Sequence, residues 1–361
     1  MRICIVVDNL NPQAGWGRLA LKLGEEFEQR GIDVSFVTQF SSLSKRNILI
    51  TPLRNFSWKS PLKPLITILR IRKFIVSCDT VLCFDANPYG VLVAFSILGK
   101  KNNFVLYAIG SYSLLTQNFF RNILIRFAYH QASRVIVVSE FVKKQIENSG
   151  LLSVRMEIVP VGVDLKNFFP TRIRPKSVFG RYIIGVGALK YRKGFHLSIA
   201  AFAAIASDFS DLNFVIVGHR EDNDYVHSLD SLVAKLGMQK RVIFLSNVTD
   251  EELRSLYSFA DFFLLTPITE SNAIEGFGMV YLEAASCGIT AIGTVGTGAQ
   301  EAIISGVTGI LAIPEIEDIA AQIRVLEANR NYRDNLSLKA QERSASYSWD
   351  VVADKLLKSL L

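Results

Sequence analysis

The sequence predicts an α/β protein of two domains, each built on a parallel sheet. Its 361 residues, half of them hydrophobic, suffice for two separate cores. Short apolar runs alternate with helical patterns in both halves, which is typical of parallel strands joined by right-handed helical crossovers. The alternation stops between Pro160 and Arg181, where three prolines occur and no long periodic segment is present. We therefore expect a first domain at 1–170, a second at 171–346 and a closing helix at 347–361.

The elements follow from hydrophobic periodicity, in chain order. RICIVV at 2–7 has the composition of a buried strand. The helix behind it carries Leu19, Leu23 and Phe27 four residues apart. Further strands are expected at 33–38, 79–84, 103–109, 134–138, 182–187, 213–218, 241–245, 261–266, 289–292 and 308–312.

Basic residues are concentrated in the first half of the chain. Residues 1–170 hold 21 Lys and Arg against 11 Asp and Glu, whereas residues 171–361 hold 19 against 22. This asymmetry indicates that the first half faces something anionic.

One segment of the first half, Ser41 to Ser77, contains no acidic residue. Its aromatic residues and a Leu/Ile-rich helix expected at 62–76 alternate with basic side chains, as in helices that lie on anionic membranes. The segment therefore predicts contact with an anionic membrane surface through residues 45–73, and a solvated basic helix is the alternative. Its basic residues are Lys45, Arg46, Arg54, Lys59, Lys63, Arg70, Arg72 and Lys73.

The composition argues against several other classes of protein and site. No run approaches the roughly 18 apolar residues of a membrane span, and the start lacks the pattern of a signal peptide, so we expect a cytoplasmic protein. The four cysteines and four histidines show no zinc-ligand or redox spacing, so we expect no metal. No nucleic-acid-binding module is visible, so we expect no nucleic-acid partner.

The most informative segment is EGFGMVYLEA, which begins at Glu275 and contains Glu283 eight residues later. Gly276 and Gly278 allow a tight turn before a helix expected from Met279. The free N–H groups and positive dipole end of that helix suit a diphosphate. The two glutamates are placed to accept hydrogen bonds from the hydroxyls of a sugar and of a ribose.

Taken alone, two glutamates at this spacing also fit a solvated surface helix. Here they follow an apolar run at 260–267 and precede a strand, a glycine-rich turn and a helix start at 289–301. They therefore fall at the carboxyl end of a strand, where ligands of open α/β sheets bind.

In this context EGFGMVYLEAASCG resembles the signature of the retaining glycosyltransferases of family 4, or group 1, which have the GT-B fold. The resemblance extends in the same order over almost the whole chain. It implies two Rossmann-like domains that face a central cleft, and a C-terminal helix that crosses back to the first domain. The other similar segments are DNLNPQAGWGRLA at 8–20, VVSEFVKKQI at 137–146, VPVGVDLKNFF at 159–169, VGALKYRKG at 186–194, FVIVG at 214–218, VTDEELRSLY at 248–257, GTGAQE at 296–301 and YSWD at 347–350.

The resemblance implies roles for the matching positions. Glu275 matches the glutamate that binds the donor sugar, Glu283 the one that binds ribose, and Lys193 the lysine that binds phosphate. The other positions implied are Gly187, Gly276, Phe277, Gly278, Met279 and Val280 for the donor, and Gly15 and Gly17 for a loop that lines the cleft.

The sequence departs from the family pattern at two points. The family often has Gly-Arg-Leu before the lysine loop, but here the tripeptide is Gly-Ala-Leu, so we expect Arg192 or Lys190 to supply the second positive charge. We count Arg192 with Glu275 and Lys193 as catalytic. Many members carry a histidine on the acceptor side, whereas YAIGSY has none, so Ser111 or Tyr112 is expected in its place.

The activity implied is transfer of a sugar from a nucleotide diphosphate sugar to a glycan or lipid-linked acceptor, in the synthesis of an envelope polysaccharide or glycolipid. Family members are described as using a same-face substitution in which the departing phosphate helps to deprotonate the acceptor. This chemistry requires neither a cofactor nor a covalent carboxylate.

Three other functions stay open at this stage. A non-catalytic, sugar-nucleotide-binding partner subunit fits the missing arginine and histidine. A sugar-nucleotide epimerase would need more acid and base residues. A dinucleotide-dependent oxidoreductase would need a GxGxxG motif, in which Ala20 occupies the position of the third glycine.

Overall fold

Two parallel sheets organise the chain in the computed structural model, which confirms the predicted fold class. The first sheet belongs to unit 1, Met1–Gly162 with Trp349–Leu361, and the second to unit 2, Val163–Ser348. The structure describes residues 1–12, 15–39, 47–49, 62–151, 154–220, 223–270 and 273–360.

The division between the units lies before the expected boundary at 170/171. The short segment that starts at Val163 belongs to unit 2 rather than to the first domain. Its Phe168 is buried and packs edge-on against Tyr257, with 6.0 Å between ring centroids. Pro170 also approaches Gly288 of unit 2.

The described residues of unit 1 form seven parallel strands. They are β1 Arg2–Val6, β2 Asp33–Thr38, β3 Asn47–Leu49, β4 Thr80–Phe84, β5 Asn103–Ala108, β6 Arg134–Val137 and β7 Met156–Ile158. The helices of this part of the chain are α1 Gly15–Gln29, α2 Leu62–Ile75, α3 Val91–Ser96, α4 Phe119–Gln131 and α5 Glu140–Asn148.

The strand order in unit 1 is β3-β2-β1-β4-β5-β6-β7. The chain starts in the middle at β1, moves outward through β2 and β3, and resumes on the other side at β4. The strand order thus reverses between β1 and β4, which makes their carboxyl ends the topological switch point of this sheet. The central strands are continuous apolar runs because helices cover both faces of a parallel sheet.

Unit 2 holds six parallel strands, all at positions that the sequence predicts within a few residues. They are β8 Arg181–Val186, β9 Leu212–Val217, β10 Val242–Leu245, β11 Phe263–Leu264, β12 Ala291–Thr294 and β13 Gly309–Ala312. Its helices are α6 Phe195–Ile205, α7 Asp224–Lys235, α8 Asp250–Phe259, α9 Met279–Ser286, α10 Ala299–Ala302, α11 Ile316–Ala328 and α12 Arg330–Ser344.

The order in unit 2 is β10-β9-β8-β11-β12-β13. The strand order again reverses beside the first strand, here between β8 and β11, where Ile184 pairs with Phe263. Both units therefore present one switch point at the carboxyl edge of a parallel sheet.

The C-terminal helix, α13 Trp349–Leu360, belongs to unit 1. Arg30, which follows α1, donates from Nε to Asp354 at 2.8 Å, and the side-chain amide of Asn103 donates to the carbonyl of Leu360 at 2.9 Å. The ring of Trp349 packs against the backbone of Gly162, where an added Cβ would come within 2.4 Å of the indole.

Two classes of feature are not found in the parts of the chain that the structure describes. None of those helices combines the length and apolarity that a membrane crossing requires. Within the same residues, no group of three or more His, Cys, Asp or Glu side chains is arranged to hold a metal ion.

Candidate functional site

Three loops meet at the switch point of unit 2. They follow β8, β11 and β12, and two backbone hydrogen bonds join them. The amide of Ile268 donates to the carbonyl of Arg192 at 2.9 Å, and the amide of Gly298 donates to the carbonyl of Glu275 at 2.9 Å. These contacts fix the backbone on either side of the predicted catalytic residues.

Gly194 allows the loop after β8 to lie against the loop after β11. Its φ is +67°, and an added Cβ would stand 1.7 Å from the carbonyl oxygen of Thr266, so only glycine fits. The hydroxyl of Thr266 donates to the carbonyl of Gly194 at 2.8 Å. This close approach sets the direction of the neighbouring Lys193 side chain.

Lys193, Arg192 and Glu275 form one charged cluster. Lys193 Nζ donates to Oε1 of Glu275 at 2.9 Å, and the guanidinium of Arg192 donates to the other carboxylate oxygen. Lys193 is only 8% exposed and Glu275 only 6%. The structure thus brings together the three residues predicted as catalytic, and of the two candidate cations Arg192 is the one that contacts Glu275.

Burial and charge act in opposite directions on this cluster. Burial alone would raise the pKa of Glu275, but the charges and hydrogen bonds of Lys193 and Arg192 outweigh it and lower that pKa to about 2. Burial also lowers the pKa of the Lys193 ammonium, against the opposing pull of Glu275. The carboxylate is therefore ionised across the physiological pH range.

The N-terminus of α9 follows Glu275 directly. Gly278 precedes the helix with a φ of +86°, and an added Cβ there would clash with the ring of Tyr281 at 2.5 Å. Phe277 is buried and its ring lies 5.7 Å from that of Tyr347. The first N–H groups of a helix have no partner within the helix, so Met279 and Val280 offer donors at the positive dipole end. The predicted positions Gly276, Phe277 and Gly278 lead into that helix.

Glu283 lies on the same helix and is also nearly buried. The hydroxyl of Tyr257, on α8, donates to its Oε2 at 3.2 Å. The carboxylate also raises the pKa of Lys193, although less than Glu275 does. At Gly187, φ is +155° and an added Cβ would lie 3.5 Å from Cε of Lys193, so this predicted glycine borders the lysine.

The switch point of unit 1 carries carboxylates and hydroxyls. Asp8 lies just beyond β1, and its Oδ1 accepts hydrogen bonds from the hydroxyl of Tyr89 at 2.6 Å and from the amide of Gln39 at 3.1 Å. The predicted loop glycines lie at the start of α1. An added Cβ at Gly17 would stand 2.2 Å from the carbonyl of Asn11, whereas Gly15 is exposed.

Asp85 follows β4 directly and is buried, with 1% of its surface exposed. Its Oδ1 accepts from the amides of Ile109 at 2.8 Å and Gly110 at 3.3 Å, and from the hydroxyl of Ser113. Burial raises the pKa of this carboxyl, and those hydrogen bonds oppose the rise. Its φ of +61° is uncommon for a residue other than glycine and is typical of strained functional positions.

The two residues predicted on the acceptor side lie on the loop that Asp85 holds. Ser111 and Tyr112 form a helical turn with Ser113, directly after β5. The Tyr112 ring is about half exposed and meets the ring of Trp16 edge-on, with 5.2 Å between centroids.

Sequence reasoning missed four residues of these two sites: Asp8, Tyr89, Asp85 and Tyr257. A signal existed for the two aspartates, because each follows an apolar run that becomes one of the strands at the switch point. The tyrosines had no such signal, since their partners are distant in sequence.

Comparison with known families decides the classification. Residues 14–167 match the family described as "Glycosyltransferase Family 4", and residues 171–343 match the one described as "Glycosyl transferases group 1". The chain belongs to the group 1, family 4 glycosyltransferases. The two matches leave only short segments of this glycosyltransferase chain uncovered.

Curated relatives match this glycosyltransferase chain over part of their length. Mannosylfructose-phosphate synthase of Agrobacterium fabrum is 30% identical over 226 residues, which cover 59% of this chain and 49% of that protein. A GDP-mannose-dependent alpha-(1-6)-phosphatidylinositol monomannoside mannosyltransferase of Mycolicibacterium smegmatis is 29% identical over 189 residues, covering 50% and 49%. The chain spans about half the length of these relatives.

Solved structures share the fold over nearly the whole chain. Sucrose-phosphate synthase from Thermosynechococcus elongatus superimposes with a TM-score of 0.80 at 18% identity, covering 99% of this chain and 98% of that one. Anabaena Alr3699/HepE in complex with UDP and glucose gives 0.82 at 19%, covering 100% and 99%. At these identities the likeness establishes the GT-B fold and nothing about substrate.

Proposed function

We propose that this protein is a retaining glycosyltransferase that moves a sugar from a nucleotide diphosphate sugar to a glycan or lipid-linked acceptor. The observation that carries the proposal is the buried Glu275 carboxylate held between Lys193 and Arg192 at the switch point of unit 2. The two cations around this carboxylate place positive charge beside the N-terminus of α9. Such a site favours a diphosphate and a hydroxyl-bearing sugar together.

The leaving diphosphate is the species that this cluster stabilises. Negative charge develops on it as the bond to the sugar breaks, and Lys193, Arg192 and the helix N–H groups supply fixed positive charge there. One such preorganised donor contributes roughly 3–4 kcal/mol to transition-state stabilisation. In this proposal the protein's own cations do this work and no cofactor is required.

Glu275 and Glu283 hold the two ends of the donor. Each oxygen of Glu275 already faces a cation, so its remaining lone pairs accept from sugar hydroxyls and orient the ring. Glu283, fixed by Tyr257, accepts from ribose hydroxyls. The departing phosphate takes the proton from the acceptor, and no carboxylate forms a covalent bond to the sugar.

The acceptor belongs at the switch point of unit 1. Its carboxylates and hydroxyls suit the hydroxyl groups of a sugar or cyclitol, and the loop with Ser111 and Tyr112 is placed beside them. The relatives include a phosphatidylinositol mannoside mannosyltransferase, which supports a lipid-linked acceptor and a role in envelope glycolipid or polysaccharide synthesis.

We also propose that the protein works on the surface of an anionic membrane. The predicted contact at 45–73 falls partly outside the described residues, namely at Lys45, Arg46, Arg54 and Lys59. Within the described part, Arg70 and Lys73 lie exposed on α2, where basic side chains attract anionic lipid.

A thermal-shift screen with nucleoside diphosphates and nucleotide sugars tests the donor site. A ligand that binds only the folded state raises Tm. At a free ligand concentration of 100 times Kd, the free energy of unfolding rises by roughly 2.7 kcal/mol. We expect a shift for the wild type, little for Glu275→Ala or Glu283→Ala, and an unchanged shift for Glu251→Ala, which removes an exposed acid from α8.

Release of nucleoside diphosphate from the matching nucleotide sugar then separates enzyme from binding subunit. Turnover that is lost in Glu275→Ala supports the transferase. A ligand-induced shift with no turnover in the presence of candidate acceptors would instead favour the non-catalytic partner subunit.

A further inference from the structure

Two helices of unit 1 carry large apolar side chains on their solvent side. We call these residues the apolar rim: Leu65, Ile66 and Leu69 of α2, with Phe119, Phe120 and Ile123 of α4. The two phenylalanines are 72% and 77% exposed, and the four aliphatic residues 49–56%. Fully exposed phenylalanines on a helix face are unfavourable in water, so this rim calls for a partner.

The rim is not needed for the core of unit 1. On α2 the inner face is formed by Thr67, Ile71 and Ile75, and on α4 by Ile125 and Ala128, all of them buried. Both helices are therefore apolar on two faces. A helix that is hydrophobic all round is normally buried, and here the second face is turned to solvent.

Helices α2 and α4 lie in one layer, with α3 between them. The guanidinium of Arg72 donates to the carbonyl of Leu98 at 2.7 Å, and the hydroxyl of Ser96 donates to the carbonyl of Ile68 at 3.1 Å. From the other side, the ring of Phe95 on α3 packs at a tilt against that of Phe127 on α4, with 4.8 Å between their centroids. The rim residues are thus carried by a single face of unit 1.

The rim lies at the acceptor end of that face. Helices that join parallel strands run opposite to them, so α2 and α4 begin near the carboxyl edge of the sheet. Five of the six rim residues belong to the first two turns of their helices, and Leu69 lies at the middle of α2. On α4 they follow the turn at Ser111–Ser113, which carries the acceptor-side residues Ser111 and Tyr112.

Charge identifies the partner. Residues 34–139, which contain both helices, have thirteen Lys and Arg but only two acids, Asp79 and Asp85. Asp85 is buried. Asp79 accepts from the backbone amide of Arg2 at 2.7 Å and lies just before β4, at the opposite sheet edge. Lys100, Lys101 and Arg134 also lie at that edge, before or at the start of their strands, so ten of the thirteen basic residues remain for the rim. An apolar rim within so basic a segment matches an anionic lipid surface.

We propose that the apolar rim inserts into the interface of an anionic membrane and so presents the acceptor end of unit 1 to a lipid-linked acceptor. The proposal rests on the proposed function for its acceptor, but the insertion itself is independent of catalysis. The basic side chains supply long-range attraction that salt weakens. Phe119 and Phe120 supply apolar burial that salt does not weaken.

Vesicle sedimentation tests the insertion. Wild type, Phe119→Ser/Phe120→Ser and the matched control Val325→Ser/Leu338→Ser are mixed with vesicles of phosphatidylglycerol and phosphatidylcholine. The control removes two exposed apolar residues from unit 2. We expect the rim variant to partition at least about tenfold more weakly, since burying one phenylalanine is worth roughly 1.5–3 kcal/mol and 1.4 kcal/mol is a factor of ten.

A fluorescence measurement distinguishes insertion from surface attraction. Phe120→Cys and Leu338→Cys are labelled with an environment-sensitive dye, which is selective because Cys4, Cys78, Cys83 and Cys287 are buried. We expect a blue shift with anionic vesicles at position 120 only, and the shift should persist at 0.5 M salt for the protein that remains bound.

Three outcomes would overturn the proposal. The first is that the wild type does not bind anionic vesicles, and the second is that the rim variant binds them as well as the control does. The third is that the rim residues hold two copies of the chain together, so that in sedimentation equilibrium only the rim variant is monomeric. Donor cleavage in solution is measured in parallel. If it is absent while the rim behaves as expected, the proposed function fails and the membrane insertion stands.

Discussion

The two switch points share a topology and differ in chemistry. In each unit the strand order reverses beside the first strand, so two loops diverge from the carboxyl edge of the sheet. At the switch point of unit 2 these loops carry two cations around one carboxylate. At that of unit 1 they carry two carboxylates with tyrosine and serine hydroxyls. The same backbone plan thus places two cations around a carboxylate in one unit, and two carboxylates among hydroxyl groups in the other.

In both units, the charged side chains at the switch point are opposite in sign to the net charge of the half of the chain that contains it. The half of the chain with an excess of basic residues has an acidic switch point, and the half with an excess of acids has a cationic one. Surface charge steers encounters over several ångströms, whereas the buried groups select what is bound. Net charge alone would have assigned the diphosphate to the wrong half.

Removing a cation from unit 2 should have the largest effect. Lys193→Met keeps the volume of the side chain but removes the charge beside the leaving diphosphate, so kcat should fall by roughly 10²–10³. Lys190→Met, in the same loop but exposed, should leave kcat within a few-fold. Steady-state release of nucleoside diphosphate measures both, and a kcat near wild type for Lys193→Met would remove the proposed contrast between the units.

The free energy of unfolding at acid pH should depend on the same cluster of Glu275, Lys193 and Arg192. The pKa of Glu275 is about 2 in the fold against 4.5 as its ordinary value, so its stabilising contribution is complete above pH 4.5 and declines as the pH falls toward 2. The contribution lost is about 3 kcal/mol. Urea unfolding between pH 6 and 3 should show part of this loss in the wild type and not in Glu275→Gln. Parallel curves for the two proteins would contradict the assigned ion pairs.

Removing the carboxylate from unit 1 should affect the acceptor and spare the donor. Asp85→Ala leaves the amides of Ile109 and Gly110 without their acceptor, a cost of roughly 1–3 kcal/mol, and loosens the loop with Ser111 and Tyr112. We expect acceptor KM to rise about tenfold while the affinity for nucleoside diphosphate stays unchanged. Asp85→Asn, which keeps one acceptor oxygen, should recover part of the loss, and Asp79→Asn should be neutral. Equal losses in donor and acceptor binding would show a general fault in folding.

The smallest change sharpens the comparison within unit 2. Tyr257→Phe removes the hydroxyl that donates to Glu283 and keeps the ring, so the Kd for nucleoside diphosphate should rise by about three- to tenfold. Tyr182→Phe removes another buried hydroxyl, one that donates to the carbonyl of Leu256, and should leave that Kd unchanged. Isothermal titration measures both. The opposite ranking would remove Glu283 from the donor site.

The cationic site was predictable from sequence and the acidic one was not. Glu275, Glu283 and Lys193 lie in segments whose residue types and spacing resemble those of a known family. Arg192 was one of two residues predicted to replace a missing arginine. Asp8 and Asp85 each follow an apolar run, but that they lie at one site depends on β1 and β4 being neighbours, which is a property of strand order. Tyr89 and Tyr257 meet partners 81 and 26 residues away, and a single sequence does not record such contacts.

The fold shows the same limit at its edges. All the predicted strands are present, because each central strand is an apolar run buried on both faces. The short edge strands β3 and β7 were missed. In β7 two of three residues are exposed, so no apolar run marks it. The two units divide after Gly162, whereas the expected boundary is at 170/171. The contact of Phe168 with Tyr257, which ties this segment to unit 2, is not visible in the local composition around the prolines.

The placement of α13 has a consequence for how the protein is made. Unit 1 is assembled from both ends of the chain, with all of unit 2 between them. A ribosome therefore completes unit 2 before it delivers the residues that bind Arg30, Asn103 and Gly162. Until then the first half remains unfinished, with the surface that receives Trp349 open to solvent. A nascent chain released before Ser348 would carry a whole donor unit beside an incomplete acceptor unit, which is the form that quality-control proteases would be expected to remove first.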